Sequence, residues 1–397
     1  MKKTTAKHAG KLQSPQFPLC FVRISRKNIR LLYCCIPVPA PGRSCPNAAF
    51  DASFFDDLRR ISFLFQRLAP AMFRKRPSHR IITGLDIGTT KVCAIIGKAD
   101  EDGKLTILGM GSYPSKGLRR GEITEISPTV DAINRATQRA IEVANVHIDD
   151  IYVGIAGGHI LSVNQEACVD IRRPARGIDE KDRTRAVEKA AATLHLDRNQ
   201  TLIHKVVQEF QINEGQPTHN PIGLSGSSLK AHVHLVAGCE DQLQNIIRCV
   251  KKAGFRQSPH IVLQSLASSM SVLTSHEQEL GALLIDIGGG TTDLAYFANG
   301  TVRWTGEVAM GGDMITRDIM EVLGCRLNDA ENVKKKLGCA LPDTVDRDAT
   351  FPLPQLHDPS ELSTHKEHTL AEIIECRLEE IFEMALAQVT EAGFKDR

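Results

Sequence analysis

From residue 80 onward, apolar positions alternate between short runs with strand period and longer stretches with the 3.6-residue period of a helix. Segments 92–96, 105–110 and 151–155 read as strands. Between the last two, Val130, Ile133, Ala136, Ala140, Ile141 and Ala144 share one helix face. Ser127 can cap that helix, with Pro128 at its first position. Next come strand-like 160–163, a helix over about 180–192, strand-like 202–207 and a turn at Asn220-Pro221. Segment 231–236 reads as a strand, and Leu243, Ile246, Ile247 and Val250 mark a helix stopped near Gly254. Segment 261–263 leads into a helix over 264–273, where Ala267, Ser268 and Ser269 permit close helix approach. Strand-like 302–305 precedes a helix through Ile319, Met320 and Leu323, then one ending at Gly338, then a long helix over 369–392. Strands alternating with packed helices predict an α/β protein with a mainly parallel or mixed sheet covered on both faces.

Two glycine-rich hairpins interrupt this rhythm, 200 residues apart. The first is Gly84-Leu85-Asp86-Ile87-Gly88-Thr89-Thr90-Lys91, running into 92–96. The second is Leu284-Ile285-Asp286-Ile287-Gly288-Gly289-Gly290-Thr291-Thr292-Asp293, running into 294–297. Each is an apolar strand, a carboxylate, a tight turn with hydroxyls and a second apolar strand. Glycine lets backbone N–H groups approach a phosphate, and threonine adds a neutral donor. Asp86 and Asp286 are placed to hold Mg²⁺ through its waters, with Asp293 close behind, since that ion dehydrates reluctantly. In one hairpin alone, Asp and Gly would be ordinary turn residues. The duplication points instead to two related halves closing on one nucleotide.

Other positions read two ways. Lys91 either neutralises phosphate or is a solvated strand residue. Gly311-Gly312-Asp313 opens a helix whose N–H groups form an anion site, Asp313 serving as the helix-start residue. Glu331 and Lys334 form an i, i+3 pair that by pattern alone belongs to a solvated helix. No residue stands out as a base for phosphorylating a small substrate, so hydrolysis would rest on a positioned water, which Gln264 could orient. His159, His204 and His234 lack metal-ligand spacing and read as core or surface residues.

The duplicated hairpins resemble those of the actin-like ATPase superfamily. From about residue 80 to the end the chain is similar to the FtsA family of bacterial cell-division proteins. The likeness includes Gly109-Met110-Gly111-Ser112 with Ser115-Lys116-Gly117, and Tyr152-Val153-Gly154-Ile155-Ala156-Gly157-Gly158-His159-Ile160. It continues through Asn220-Pro221-Ile222-Gly223-Leu224-Ser225-Gly226 and Leu266-Ala267-Ser268-Ser269. The resemblance implies an actin-like (ribonuclease H-like) two-lobed fold. Segments 80–156 and 237–281 would form the first lobe, 157–236 an inserted FtsA-type subdomain, 282–314 and 376–397 an incomplete second lobe, and 315–375 its smaller subdomain. The 264–273 helix would lie where the lobes pivot.

ATP and Mg²⁺ are the implied cofactors. Gly88, Thr89, Thr90 and Lys91 would surround the phosphates from one half, and Gly288, Gly289, Gly290, Thr291 and Thr292 from the other. Gly311 and Gly312 would lie against the nucleotide, and Glu331 and Lys334 would reach ribose and adenine. The implied protein is an adaptor that polymerises and links the FtsZ ring to the cytoplasmic face of the inner membrane at the septum. Its smaller subdomain would contact the FtsZ C-terminal tail, and its insertion later division proteins. A small-molecule phosphotransferase such as a sugar kinase is the alternative within the superfamily. After Gly312 no further glycine pair occurs, so the adenosine turn and C-terminal membrane helix of the family have no counterpart here. The expectation is at most a weak ATPase with impaired nucleotide binding.

Charge changes the picture at the N-terminus. Residues 1–80 hold 16 of the 49 Lys and Arg but 3 of the 47 Asp and Glu, leaving an acidic remainder that argues against a nucleic-acid surface. Segment 1–79 has no counterpart in the family and reads as disordered or non-native, Met72 being a plausible start. Within it, Phe54, Phe55, Leu58, Ile61, Phe65 and Leu68 recur at helical spacing among arginines, the pattern of a helix lying on an anionic membrane. The 11 cysteines form no C-x-x-C pair, and Cys93 and Cys249 sit in apolar runs as buried thiols of a reducing compartment would.

Overall fold

Two short strands, β1 (Cys20–Ser25) and β2 (Asn28–Tyr33), pair as a hairpin ahead of the region with family likeness. The computed structural model describes residues 20–25, 28–33, 80–100, 104–148, 150–358 and 360–394, and for 20–33 the backbone alone. The helical pattern at 54–68 and Met72 lie outside the described residues. Of segment 1–79, expected to be disordered or non-native, only the residues of β1 and β2 are described.

The apolar alternation after residue 80 folds into a meander of β3 (Arg80–Ile87), β4 (Lys91–Ala99) and β5 (Leu105–Pro114). A two-residue hairpin, β6 (Leu118–Arg119) and β7 (Glu122–Ile123), leads to helix α1 (Ile126–Ala144). The expected face of α1 is buried or half-buried in the first core. Its start differs from expectation: Glu125 is the N-cap, with no side-chain cap bond, and Pro128 falls in the first turn, where a missing N–H costs nothing. Ala136 and Ala140 meet Gly109 and Gly111 of β5. A Cβ on Gly111 would stand 2.1 Å from the Ala136 carbonyl oxygen, so only glycine allows this approach. Strand β8 (Asp150–Ile155) runs parallel to β3 on its other side.

The chain then leaves for the inserted subdomain. This is an antiparallel sheet of β9 (Leu161–Asp170), β10 (Gln200–Ile212), β11 (Pro217–Thr218) and β12 (Ser228–Cys239), covered by α2 (Glu180–Ala191). Asp179 and Asp182 cap α2 reciprocally, satisfying two otherwise unpaired N–H groups. Phe210, Leu229, Val233, Leu235, Ala186 and Ala190 give the subdomain its own core. Strand β9 runs to Asp170, well beyond the expected 160–163.

Strand β12 passes directly into α3 (Glu240–Lys252), and β13 (His260–Leu263) adds to β8 in parallel. The first sheet thus has the order β13-β8-β3-β4-β5. Helices α4 (Gln264–Val272) and α5 (Ser275–Leu280) carry the chain to the second lobe.

There the meander recurs as β14 (Ala282–Ile287), β15 (Thr292–Ala298) and β16 (Thr301–Val308). Where β3 has parallel β8 beside it, β14 has antiparallel β1, paired from Cys20 opposite Ile287 to Ile24 opposite Leu283. Helix α6 (Gly312–Leu323), α7 (Leu327–Leu337), a hairpin of β17 (Thr350–Pro354) and β18 (Leu362–Lys366), and α8 (Glu367–Glu391) complete the chain. The first half of α8 packs Leu370 and Ile374 into one core with Ile315, Ile319 and Phe351. Its second half lays Ile381 and Ala385 on Ile285, Leu294 and Val308 of the second sheet.

Candidate functional site

The two hairpins close identically. Gly88 N–H donates to the Lys91 carbonyl at 3.0 Å, and Gly288 N–H to the Thr291 carbonyl at 2.9 Å, each with its aspartate two residues earlier. The turns meet tip to tip. A Cβ on Gly289 would stand 2.4 Å from Thr90 Cγ2, and one on Gly290 3.0 Å from Thr89 Oγ1. Asp86 and Asp286, each two residues before its turn, therefore lie near enough for the Asp86 charge to act on Asp286.

Helix α4 bridges the pair. Gln264 Nε2 donates to Asp86 Oδ1 at 2.7 Å, and Ser268 Oγ donates to Asp286 Oδ2 at 2.7 Å. Positions four apart lie on one helix face, so a single face orients a carboxylate from each lobe. Gln264 was a sequence candidate as a water-orienting residue, and its amide is directed at Asp86. Ser268 was read only as a small packing residue; its i, i+4 spacing from Gln264 was the available signal.

Cross-strand register adds further carboxylates. Asp286 lies opposite Asp293, and Asp293 opposite Glu307, giving a row of three acids across β14, β15 and β16. Like charges placed so disfavour one another. Burial first, then the Asp86 charge, push Asp286 up to about 6 despite the Ser268 hydrogen bond. Asp293 is raised well above the ordinary range by burial and by Asp286, Glu307 and Asp86. Burial also raises Asp86, against the nearby Lys91 ammonium. Lys91 thus sits within the field of the cluster rather than apart from it. Burial pushes Glu307 up to about 7, against the lowering influence of the nearby Gly157 backbone N–H. The sequence reading missed Glu307, which emerges only through strand register.

Two expected donors have different tasks. Thr292 is fully buried and its hydroxyl donates to the Met310 carbonyl at 2.8 Å, fastening the hairpin to the segment before α6. The N–H groups at the start of α6 are not free for an anion either. Gly312 N–H donates to the Gly288 carbonyl at 2.9 Å and Asp313 N–H to the Gly289 carbonyl at 2.8 Å. A Cβ on Gly311 would lie 2.6 Å from the Gly288 oxygen, so this glycine permits helix and hairpin to touch. Thr291 is buried beside Thr292, while Thr89 is half-buried and Thr90 exposed.

Glu331 and Lys334 pack against that helix start. Lys334 Nζ donates to the Gly312 carbonyl at 2.8 Å and to Thr316 Oγ1 at 2.6 Å, and pairs with Glu331 at 2.6 Å. Burial opposes the Glu331 charge, but Lys334, Thr316 and Lys335 outweigh it and hold the carboxyl down to about 2. The pair is therefore a half-buried brace rather than a solvated one. Burial keeps His204 and His234 neutral, each lowered to about 4, and His204 Nε2 accepts the Leu263 N–H at 3.0 Å. Cys93 and Cys249 are buried free thiols. Among the described residues, no group of three or more His, Cys, Asp and Glu side chains is arranged to hold a metal by itself. No helix among them is long and apolar enough to cross a membrane.

Comparison with known proteins supplies the family. Residues 283–388 match the family described as "Cell division protein FtsA", and 157–237 match "SHS2 domain inserted in FTSA". Cell division protein FtsA of Pseudomonas aeruginosa is 38% identical over 321 residues, 80% of this chain and 75% of that one. The Neisseria meningitidis protein is 38% identical over 315 residues, 79% of this chain and 75% of its own. That of Escherichia coli K12 is 33% identical over 323 residues, 81% of this chain and 76% of its own. Among solved structures, MreB5 of Spiroplasma citri bound to ADP aligns with a TM-score of 0.45 at 14% identity, over 78% of this chain and 79% of that one. Nothing in these likenesses favours a phosphotransferase. With the insertion matched between the two hairpins and relatives aligned over three quarters of their length, the chain belongs to the FtsA family of actin-like cell-division proteins.

Proposed function

We propose that this protein binds ATP with Mg²⁺ between its lobes, associates with copies of itself, and joins the FtsZ ring to the cytoplasmic face of the membrane at the septum. The observation that carries the nucleotide reading is the pair of identically closed hairpins meeting at their tips, with Asp86 and Asp286 both bonded from α4. The residues fit a hard divalent cation held through its waters: half-buried Asp86 from one lobe and buried Asp286 from the other, with the Lys91 ammonium acting on Asp86. Asp86 and Asp286 would hold Mg²⁺ through its waters, and the ion would neutralise phosphate charge when bound. Thr89, Thr90 and the hairpin N–H groups would meet the phosphates, with Gln264 and Ser268 keeping the carboxylates in place. Glu331 and Lys334, braced on α6, would stand toward the nucleoside. Bound nucleotide would act mainly by favouring one lobe arrangement over another, with weak hydrolysis at most.

The FtsZ tail would dock in the smaller subdomain. A groove of about 400 Å³ between α6 and α8 is lined by Val322 and Ile373, with Asp318, Arg377 and Glu380 around them. Apolar seats rimmed by charge suit a short peptide. The insertion would meet later division proteins.

One experiment tests both arms. The chain is titrated calorimetrically with Mg-ATP and with a synthetic FtsZ C-terminal tail peptide, beside Asp86→Asn and Asp286→Asn. Saturable ATP binding weakened roughly tenfold or more in either variant, with tail binding unchanged, is expected. ATP affinity equal in all three proteins overturns the nucleotide site, and absence of tail binding overturns the adaptor role.

A further inference from the structure

Both ends of the inserted subdomain join the first lobe. Gly157 follows β8 by two residues, and β12 continues into α3. Its base is also held there: Asn199 Nδ2 donates to Asp241 Oδ2 at 2.9 Å, and His204 accepts the Leu263 N–H. Yet its long side is bonded to the second lobe, along the edge strand β16.

This seam is polar and specific. Ser162 Oγ donates to the Thr305 carbonyl at 2.7 Å, and Asn164 Nδ2 to the Arg303 carbonyl at 2.8 Å. Gln208 Nε2 donates to the Val302 carbonyl at 2.9 Å and to Asn164 Oδ1 at 3.1 Å. His234 joins Asn164 Oδ1 at 2.7 Å through Nδ1 and Thr305 Oγ1 at 3.2 Å through Nε2. Since Asn164 Oδ1 can only accept, Nδ1 carries the proton and Nε2 accepts from the threonine. Arg303 and Glu209 close the outer end as an ion pair at 2.9 Å, their side chains 15% and 19% exposed. At the inner end Glu307 lies against the Gly157 backbone. The bonds from Ser162, Asn164 and Gln208 satisfy backbone carbonyls that an edge strand would otherwise leave to water. Strand β16 is also next to the hairpin strand that carries Asp293.

We propose that the inserted subdomain is a strut latching the two lobes together, so that any opening between the lobes requires the β16 seam to part. The subdomain is continuous with one lobe and bonded to the other, on the strand beside the second hairpin. Any change in lobe angle must therefore strain the seam or swing the subdomain. This proposal stands apart from nucleotide binding and is testable without a ligand.

Spin labels on introduced ketone-bearing residues at Val143 in α1 and Glu383 in α8, both exposed, report the lobe-to-lobe distance. A third at exposed Lys181, paired with the one at 383, reports the subdomain against the second lobe. Arg303→Glu is expected to widen both distance distributions roughly twofold, and the swap Glu209→Arg in the same chain to restore most of the loss. The milder pair Ser162→Ala with Asn164→Ala is expected to widen both without reversing a charge. A seam variant that widens the 181–383 distribution but leaves 143–383 unchanged overturns the latch, as does no change in either. Widening that the swap does not reverse, and that the alanine pair does not reproduce, overturns it as well.

Discussion

Glu307 shows how a single side chain is governed by neighbours that its own sequence segment does not reveal. Its folded carboxyl, pushed up to about 7 by burial, keeps a proton that the unfolded chain releases near 4.5. The charged form therefore costs stability, from nothing below about 4.5 to its full extent above about 7. Replacing Glu307 with Gln keeps the size of the side chain and removes the charge. Urea unfolding should show Glu307→Gln more stable than the parent by about 1–2 kcal/mol at pH 8, a figure reduced for partial solvent screening. The gain should vanish near pH 4.5; a constant difference across that range would contradict it. Asp86, Asp286 and the hairpin glycines stand out in the sequence because their residue types and order repeat, whereas Gln264 stands out only by its place at the start of α4. Ser268 and Glu307 were not, because one acts through helix spacing and the other through strand register, and neither belongs to a motif.

Among the elements, the β5–α1 contact carries a sharp consequence. Gly109 and Gly111 alternate on one face of β5, opposite Ala136 and Ala140, and the helix backbone comes within the space of a side chain. A methyl group at position 111 meets the Ala136 carbonyl oxygen and the Ala140 nitrogen, neither of which can rotate away. Gly111→Ala should destabilise the protein by about 1–3 kcal/mol in denaturant titration, whereas Gly84→Ala, with open space at its Cβ, should cost less. Two helices match their expected spans nearly to the residue: 180–192 corresponds to Glu180–Ala191, and 369–392 to Glu367–Glu391. Strand ends were read short at β9, β10 and β12, since pairing partners, not local pattern, decide where a strand stops. The glycine pair at the start of α6 was recognised, but its purpose differs. Its N–H groups hold the second hairpin, and that contact becomes visible only when both elements are placed.

At the scale of the molecule, the insertion is a separate core that is nevertheless bonded to both lobes. Phe210 is fully buried at its centre, and Phe210→Ala should cost about 3–5 kcal/mol. Because the seam runs along β16, hydrogen exchange should quicken not only in β9, β10 and β12 but also across Thr301–Val308. Exchange confined to the insertion would show the two to be independent. The α/β class and the duplicated hairpins were determined by sequence alone, because apolar period and glycine turns act over a few residues, whereas the insertion between them followed from family resemblance. Tertiary structure alone decided that the hairpin tips touch, that α4 orients one carboxylate from each lobe, that three acids line up across β14 to β16, and that the insertion bridges the lobes. These depend on residues far apart in the chain, and no local period records which of them will meet.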